Sequence, residues 1–478
     1  MTLLADTPTP PLPAPLTRYR YLWPRQELAG SSAWSVGGPG DALSRAMPES
    51  PEELALDSRW PALFPSPICL VTTSDGSSAA LEKVVGASIV NRFPYIVALS
   101  FCRRPLSDRH YVRSRFMDAL ERNEEVAVQF LPPGDALDRA MDAIANVPDD
   151  RVTERIARAG LPVRASRTNR APVFTDAYLA YEARLVRPGR DFDRVPIHAE
   201  PWTDAGSHRV YYLEITAIQL RHDIAQGRSQ IHWRSLPTWS PGPAFHGARG
   251  AAAAITGVHY QKPYTPLYSF PLSSTIAFES DEVRDGMAVK YLPPLPEDQV
   301  EVNNDRARWP CFFPSSVGMI TTWAEDGVPN VMPCGSTTIV SRHPLIVTPC
   351  VSYAAINDRY APRATLDAIR RTGRFGCGVP FIEDTILNAI KYCGNVSVTA
   401  NRDKVRESGL EIEAADWAPV PTALPVYFEC EVVGEVRLGT HIMFLGEVRR
   451  IRVRADVTPD RPMEWCPWAD VTPVGNSR

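Results

Sequence analysis

Most of the chemistry this sequence could perform sits in one polar loop, a set of arginines and two histidines. Cys334-Gly335-Ser336-Thr337-Thr338 places a glycine among hydroxyls, and its backbone N–H groups are suited to cradle a phosphate. On residue types alone, a plain β-turn with its hydroxyls facing water is the better reading. Arg342, Arg359 and Arg363 follow the loop, and a guanidinium pairs bidentately with phosphate. Arg92, Arg109 and Arg113 repeat the pattern earlier, each time around an Asp-Arg pair, Asp108-Arg109 and Asp358-Arg359. Phosphate contact and a local ion pair or cap are equal alternatives for them. Cys334 has no base beside it in sequence, which argues against a nucleophile. The nine histidines show neither H-x-H nor H-E-x-x-H spacing, so no metal site is expected.

The elements that must position these residues occur twice. Trp60-Pro-Ala-Leu-Phe-Pro-Ser returns as Trp309-Pro-Cys-Phe-Phe-Pro-Ser, and Ser88-Ile-Val-Asn-Arg-Phe-Pro94 as Thr338-Ile-Val-Ser-Arg-His-Pro344. Asp108-Arg109 with Arg113 returns as Asp358-Arg359 with Arg363, and Gly206-Ser-His208 with Glu214 as Gly439-Thr-His441 with Glu447. Blocks that stay in order over so long a stretch indicate a tandem duplication, whose copies should form a pseudo-dimer within one polypeptide.

Within each copy the pattern is mainly strand. The runs 68–73, 95–101, 126–131, 178–186 and 210–219 are apolar or alternating, as are their counterparts 317–322, 345–351, 375–379, 426–433 and 442–453. Short segments, 116–123 and 365–372, show apolar residues at helical spacing. Many strands with one or two helices predict a closed or split Greek-key barrel, mainly β with minor α. No G-x-G-x-x-G or Walker A motif is present. The expected division is a Pro/Gly-rich N-terminal arm (1–50), a diverged first copy (51–234), an irregular linker packing on the barrels (235–300), a second copy (301–458) and a tail (459–478).

Composition excludes several classes. Hydrophobic residues make up 44% and charged residues 22% of the 478, ample for two cores. A net charge of −4 gives no case for nucleic acid or an anionic membrane surface. No apolar run is long enough to span a bilayer, and the proline-broken opening lacks a signal-peptide pattern. Nine cysteines without C-x-x-C fit reduced thiols, so a cytoplasmic protein is expected.

The second copy resembles the flavin reductase-like family, the FMN-binding split barrels that include flavoredoxins. Pro314-Ser-Ser-Val-Gly-Met-Ile-Thr-Thr322 is similar to the family's opening strand. The segment from Asn330 through Cys334-Gly335-Ser336-Thr337-Thr338 to Ser341-Arg342-His-Pro344 resembles its polar loop. Gly373-Arg-Phe-Gly-Cys-Gly-Val-Pro380, Asp403-Lys404 before Gly409-Leu410, Pro425-Val-Tyr-Phe-Glu-Cys430 and Gly439-Thr-His-Ile-Met-Phe-Leu-Gly-Glu-Val448 follow in family order. The first copy matches less well.

The resemblance implies two tandem FMN-binding split-barrel domains and a flavin, FMN or FAD, lying along the 330–341 loop. It implies NAD(P)H as electron donor and a small-molecule acceptor or second flavin as partner. Divergence of the first copy points to the cleft that uses the 330–341 loop as the functional one, with one, both or neither cleft binding flavin left open. Arg342, Arg359 and Arg363, or Arg92, Arg109 and Arg113, become phosphate candidates. His441 and His208 become catalytic candidates near the reacting face. The family's Asp before this histidine is replaced by Thr440 and Ser207, which removes an acid that would raise the imidazole pKa. Lys404 matches a family lysine, and a solvated surface position is expected for it. Two other readings stay open: a flavin-binding protein without turnover, and a diverged barrel of specialised metabolism acting without flavin. Pairing of pseudo-dimers into a homodimer is also left open.

Overall fold

The computed structural model describes residues 19–25, 33–37, 43–44, 66–67, 69–84, 86–91, 94–103, 113–132, 134–188, 191–192, 195–196, 199–206, 208–226, 230–236, 267–271, 280–292, 317–342, 345–353, 363–380 and 384–454. Strand (48%) outweighs helix (22%), as the alternating runs require.

The first copy runs β1 (Cys69–Ser74), β2 (Ala79–Val84), β3 (Gly86–Asn91), β4 (Ile96–Cys102), α1 (Phe116–Asn123), β5 (Glu125–Phe130), α2 (Asp135–Asn146), α3 (Arg155–Ala159), β6 (Leu179–Leu185) and β7 (His208–Arg221). A hairpin, β8 (Glu282–Arg284) and β9 (Met287–Tyr291), follows. The second copy repeats the plan as β10 (Gly318–Trp323), β11 (Pro329–Cys334), β12 (Thr337–Arg342), β13 (Leu345–Ser352), α4 (Ala364–Thr372), β14 (Arg374–Val379), α5 (Asp384–Asn395), α6 (Lys404–Glu407), β15 (Val426–Arg437) and β16 (His441–Arg454).

Each last strand closes its barrel. β7 pairs with β6 along one edge and with β4 along the other, from His208–Cys102 to Glu214–Ile96. β16 does the same with β15 and β13, from His441–Ser352 to Glu447–Ile346. Even the irregularities recur, with a register shift between Ile89 and Asn91 matched by one between Ile339 and Ser341. The barrel interiors are separate apolar clusters, around Val97, Phe116 and Leu213 in the first copy and Val347, Phe375 and Phe444 in the second.

One polar node shows how the copies diverged without losing the fold. In the first, the Thr72 hydroxyl bonds the carbonyl of Pro172, and Gln129 donates to Thr72 at 3.2 Å. In the second, Tyr427 takes the place of Gln129, bonding Thr321 at 2.6 Å and Pro419 at 3.0 Å. Gly376 and Gly378 make room for this, because a Cβ on Gly376 would lie 1.6 Å from the Tyr427 hydroxyl and one on Gly378 2.1 Å from Leu424.

The two barrels share a third core. Val90, Ile96 and Tyr212 pack with Val340, Ile346 and Met443 in one buried cluster, so the duplication forms an intramolecular pseudo-dimer. Backbones meet closely here: a Cβ on Gly86 would lie 2.7 Å from the carbonyl oxygen of Ile339, and Ser100 donates to the carbonyl of Val340 at 2.5 Å. Strands also cross between the copies. Residues 19–25, which precede the first copy, pair with β16 of the second, while β9, which precedes the second copy, pairs with β7 of the first.

Candidate active site

The end of β13 gathers the candidate residues of the second copy. Cys334, the last residue of β11, is buried and donates its thiol to the Cys350 carbonyl at 3.3 Å. Burial pushes this thiol's pKa up, which removes it further from nucleophilic use. Gly335 and Ser336 form the turn to β12 and stay half-buried, with the Ser336 carbonyl accepting the N–H of Cys350 at 3.2 Å. Two residues on, Ser352 accepts the backbone N–H of Arg363 at 3.2 Å and is the strand partner of His441. Arg363 is exposed at the start of α4.

Other predicted residues face elsewhere. The hydroxyl of Thr337 turns back to the Cys334 carbonyl at 2.9 Å, and Thr338 and Ser341 are buried in β12. Asn330 donates to the hydroxyls of Thr322 and Thr365 at 3.2 and 2.9 Å. It lies four residues before Cys334, roughly 13 Å along the strand, and ties β11 to α4. The backbone of Arg342 pairs with Leu345. Arg359, Arg92 and Arg109, with their aspartates, lie outside the described residues. Arg113 gives both terminal nitrogens to Asp118, at 3.0 and 2.6 Å, which favours the ion-pair reading for it.

Arg113 and Arg363 are not counterparts in the fold, contrary to the sequence match. The bond from Arg363 N–H to Ser352 is repeated in the first copy by Ser114 N–H to Cys102 at 3.1 Å, so Arg363 matches Ser114. One residue fewer separates strand from helix in the second copy than identical letters suggest.

The histidines differ in setting. His441 opens β16 half-buried, with its Nδ1 2.8 Å from the Thr440 hydroxyl. Its backbone N–H donates to Asn91 of the other copy at 2.9 Å, and Thr440 donates to the same oxygen at 3.2 Å. His208 opens β7 half-buried, paired with Cys102 and Ala205.

Lys404 corrects the sequence reading most sharply. It is 3% exposed rather than solvated, because α6 lies against β11 with Val405 packed among Val331, Ile390 and Cys393. Its ammonium donates to the Cys393 carbonyl at 3.4 Å, and no carboxylate among the described residues pairs with it. Desolvation lowers its pKa to about 8, the nearby Arg363 guanidinium pushing the same way. Arg363 also acts electrostatically on Cys334, in the sense that lowers the thiol's pKa, though burial outweighs it. A buried ammonium with no carboxylate partner among the described residues, acted on by the Arg363 charge, is a donor set that fits an anionic group such as a flavin phosphate.

The family model for the flavin reductase like domain matches residues 62–238 and again 310–468. The chain belongs to the flavin reductase-like family. Two matches in one flavin reductase-like chain restate the duplication. No curated protein matches it. Among solved structures, a flavoredoxin from Methanosarcina acetivorans is 20% identical, with 32% of this chain and 75% of that one covered and a TM-score of 0.27. Nitrilotriacetate monooxygenase component B from Bacillus cereus is 18% identical, covering 37% and 87%, with a TM-score of 0.30. An FMN-binding protein from Thermus thermophilus is 18% identical, covering 32% and 78%, with a TM-score of 0.26. The family assignment rests on the family model. Among the described residues no helix is long and apolar enough to cross a membrane.

Proposed function

We propose that this flavin reductase-like chain is an FMN-dependent oxidoreductase that draws hydride from NADH or NADPH and serves a second flavin or a small organic acceptor. The observation that supports this most is the family match over both copies, joined to the anion-seeking lysine in the second. Bound FMN would supply the two-electron chemistry. The chain's own residues bind and orient. Lys404 and Arg363 offer positive charge for a phosphate, and the half-buried Ser336 offers a hydroxyl. Thr440 fixes one ring nitrogen of His441, and Asn91 holds the His441 backbone, so the imidazole is aimed by both copies. In that position His441 would hold or deliver a proton.

The test is the absorbance spectrum of freshly purified protein, with heat-released flavin identified and NADH and NADPH oxidation followed with added FMN. Flavin bands and nicotinamide oxidation are expected. A colourless protein that neither binds added FMN nor oxidises either nucleotide overturns the reading.

A further inference from the structure

The two copies treat one buried position in opposite ways. The backbone bonds around it repeat: Val147 N–H to Ala143 and Val396 N–H to Tyr392, both 3.0 Å, then Arg151 N–H to Pro148 and Ala400 N–H to Ser397. Carried along this register, Arg155 matches Lys404 and Asp149 matches Val398. The strand pairs Val71–Glu82 and Ile320–Met332 likewise match Glu82 with Met332.

In the first copy the cation is neutralised from within. Arg155 is 4% exposed and donates to Glu82 at 2.6 Å and to Asp149 at 2.9 Å. Its remaining bonds go to the carbonyls of Leu81 and Val147. Ser114 adds a 3.5 Å contact to Glu82. In the second copy both carboxylates are replaced by apolar residues, Met332 and Val398, and the serine by Arg363. The equivalent positions thus carry a net negative charge in the first copy and two positive charges in the second. A buried lysine kept while both its counter-ions are exchanged for hydrocarbon is costly unless an external anion completes the site.

We propose that the chain has a single flavin-phosphate site, built on Lys404 and Arg363, and that the first copy's counterpart is closed by its own carboxylates, Glu82 and Asp149. This rests on the flavin reading above. The pseudo-dimer is then asymmetric: the first copy lends Asn91 to the second copy's site but binds no flavin phosphate itself.

The experiment is a fluorescence titration of the full chain with FMN and, separately, riboflavin, which shares the ring but lacks the phosphate. One FMN per chain is expected, bound more tightly than riboflavin. Lys404→Met, which removes a buried charge and so should not harm folding, is expected to weaken FMN by about tenfold or more, as loss of a charge-assisted bond does, and to leave riboflavin unchanged. Glu82→Gln, which leaves the second copy untouched, should keep one FMN at unchanged affinity. Two FMN per unsubstituted chain, equal affinity for FMN and riboflavin, or an indifferent Lys404→Met each overturn the proposal while the flavin reading stands. Binding of neither flavin overturns both.

Discussion

Asn91 Oδ1 accepts the backbone N–H of His441 at 2.9 Å, across the seam between two copies and 350 residues along the chain. The same oxygen takes the Thr440 hydroxyl, and the Asn91 amide donates to Pro94 at 2.6 Å, so one buried side chain ties the first copy's β3 to the strand that presents His441. Asn91→Ala leaves a partly buried N–H without its acceptor and should cost about 1–3 kcal/mol. Urea denaturation measures this against Asn395→Ala, whose exposed side chain bonds the Lys391 carbonyl of its own helix and whose loss should stay within about 0.5 kcal/mol. Equal effects of the two substitutions would show that the seam bond contributes nothing.

The Tyr427 node predicts strong non-additivity. Gly376→Ala alone drives a methyl into the Tyr427 hydroxyl and should destabilise by about 1–3 kcal/mol, the usual cost of overpacking. The first copy solves the same space with Ala127, Gln129, Ala177 and Ala180. Gly376→Ala, Gly378→Gln, Leu424→Ala and Tyr427→Ala together transplant that solution, and the quadruple variant should be more stable than the sum of its four single changes. Thermal unfolding of the five variants against the parent decides it. Strict additivity would mean the two nodes are not interchangeable.

How much of this was legible in the sequence follows from which distances matter. The repeated strands and the first helix of each copy were readable because their signal is local: 116–123 was expected as a helix and Phe116–Asn123 is one, and 345–351 was expected as a strand and Leu345–Ser352 is one. The longer helices Asp135–Asn146 and Asp384–Asn395 were not expected, although Leu137, Ala140, Met141 and Ile144 stand at helical spacing on the buried face of the first. The position of Lys404 was not, because its burial depends on β11 and α5 folding over it, and a lone lysine carries no mark of that. Asn91 escaped notice since its partner lies in the other copy. The slip that paired Arg113 with Arg363 came from identical letters, while the backbone bonds of Ser114 and Arg363 set the true register. The loop hydroxyls split for a steric reason: Thr337 packs against Gly318, where a Cβ would lie 2.7 Å from its oxygen, and so faces inward.

A buried ion pair in the second copy should prove indispensable but exchangeable. Glu429 and Arg452 are each 1% exposed and meet at 3.0 Å, and Arg452 reaches Glu413 at 2.7 Å. The first copy holds Gln219 and Arg164 at the matching positions, bonded at 3.0 Å, with Glu182 accepting from Gln219. Arg452→Gln should cost about 3–5 kcal/mol, the range for breaking a buried pair from one side. Adding Glu413→Arg, which recreates the first copy's pairing, should recover a measurable part. A double variant no more stable than Arg452→Gln alone would show that the exchange needs more of the first copy's surroundings.

Lys404 gives the protein a pH dependence with a definite sign. Its pKa falls from the usual 10.5 to about 8 on folding, so between those values the unfolded chain binds more protons than the folded one. Stability without ligand should therefore rise as pH climbs from 8 toward 10.5, and below pH 8 the buried charge costs about 3 kcal/mol. The titratable neighbours facing it are the Cys393 thiol on α5, itself raised by burial, and Arg363 at the start of α4. On α6 and its cap, Glu407 is engaged with Tyr392 and Asn401, and Asp403 with Arg406. Lys404→Met isolates the effect: its stability relative to the parent should be greatest near neutral pH and vanish above 10.5. A phosphate ligand needs the protonated lysine, so FMN affinity should move the opposite way and fall as pH passes 8. Denaturation and FMN titration over pH 6–11, each as a parent-minus-variant difference, measure both slopes. Slopes of the same sign would place the Lys404 charge away from the ligand.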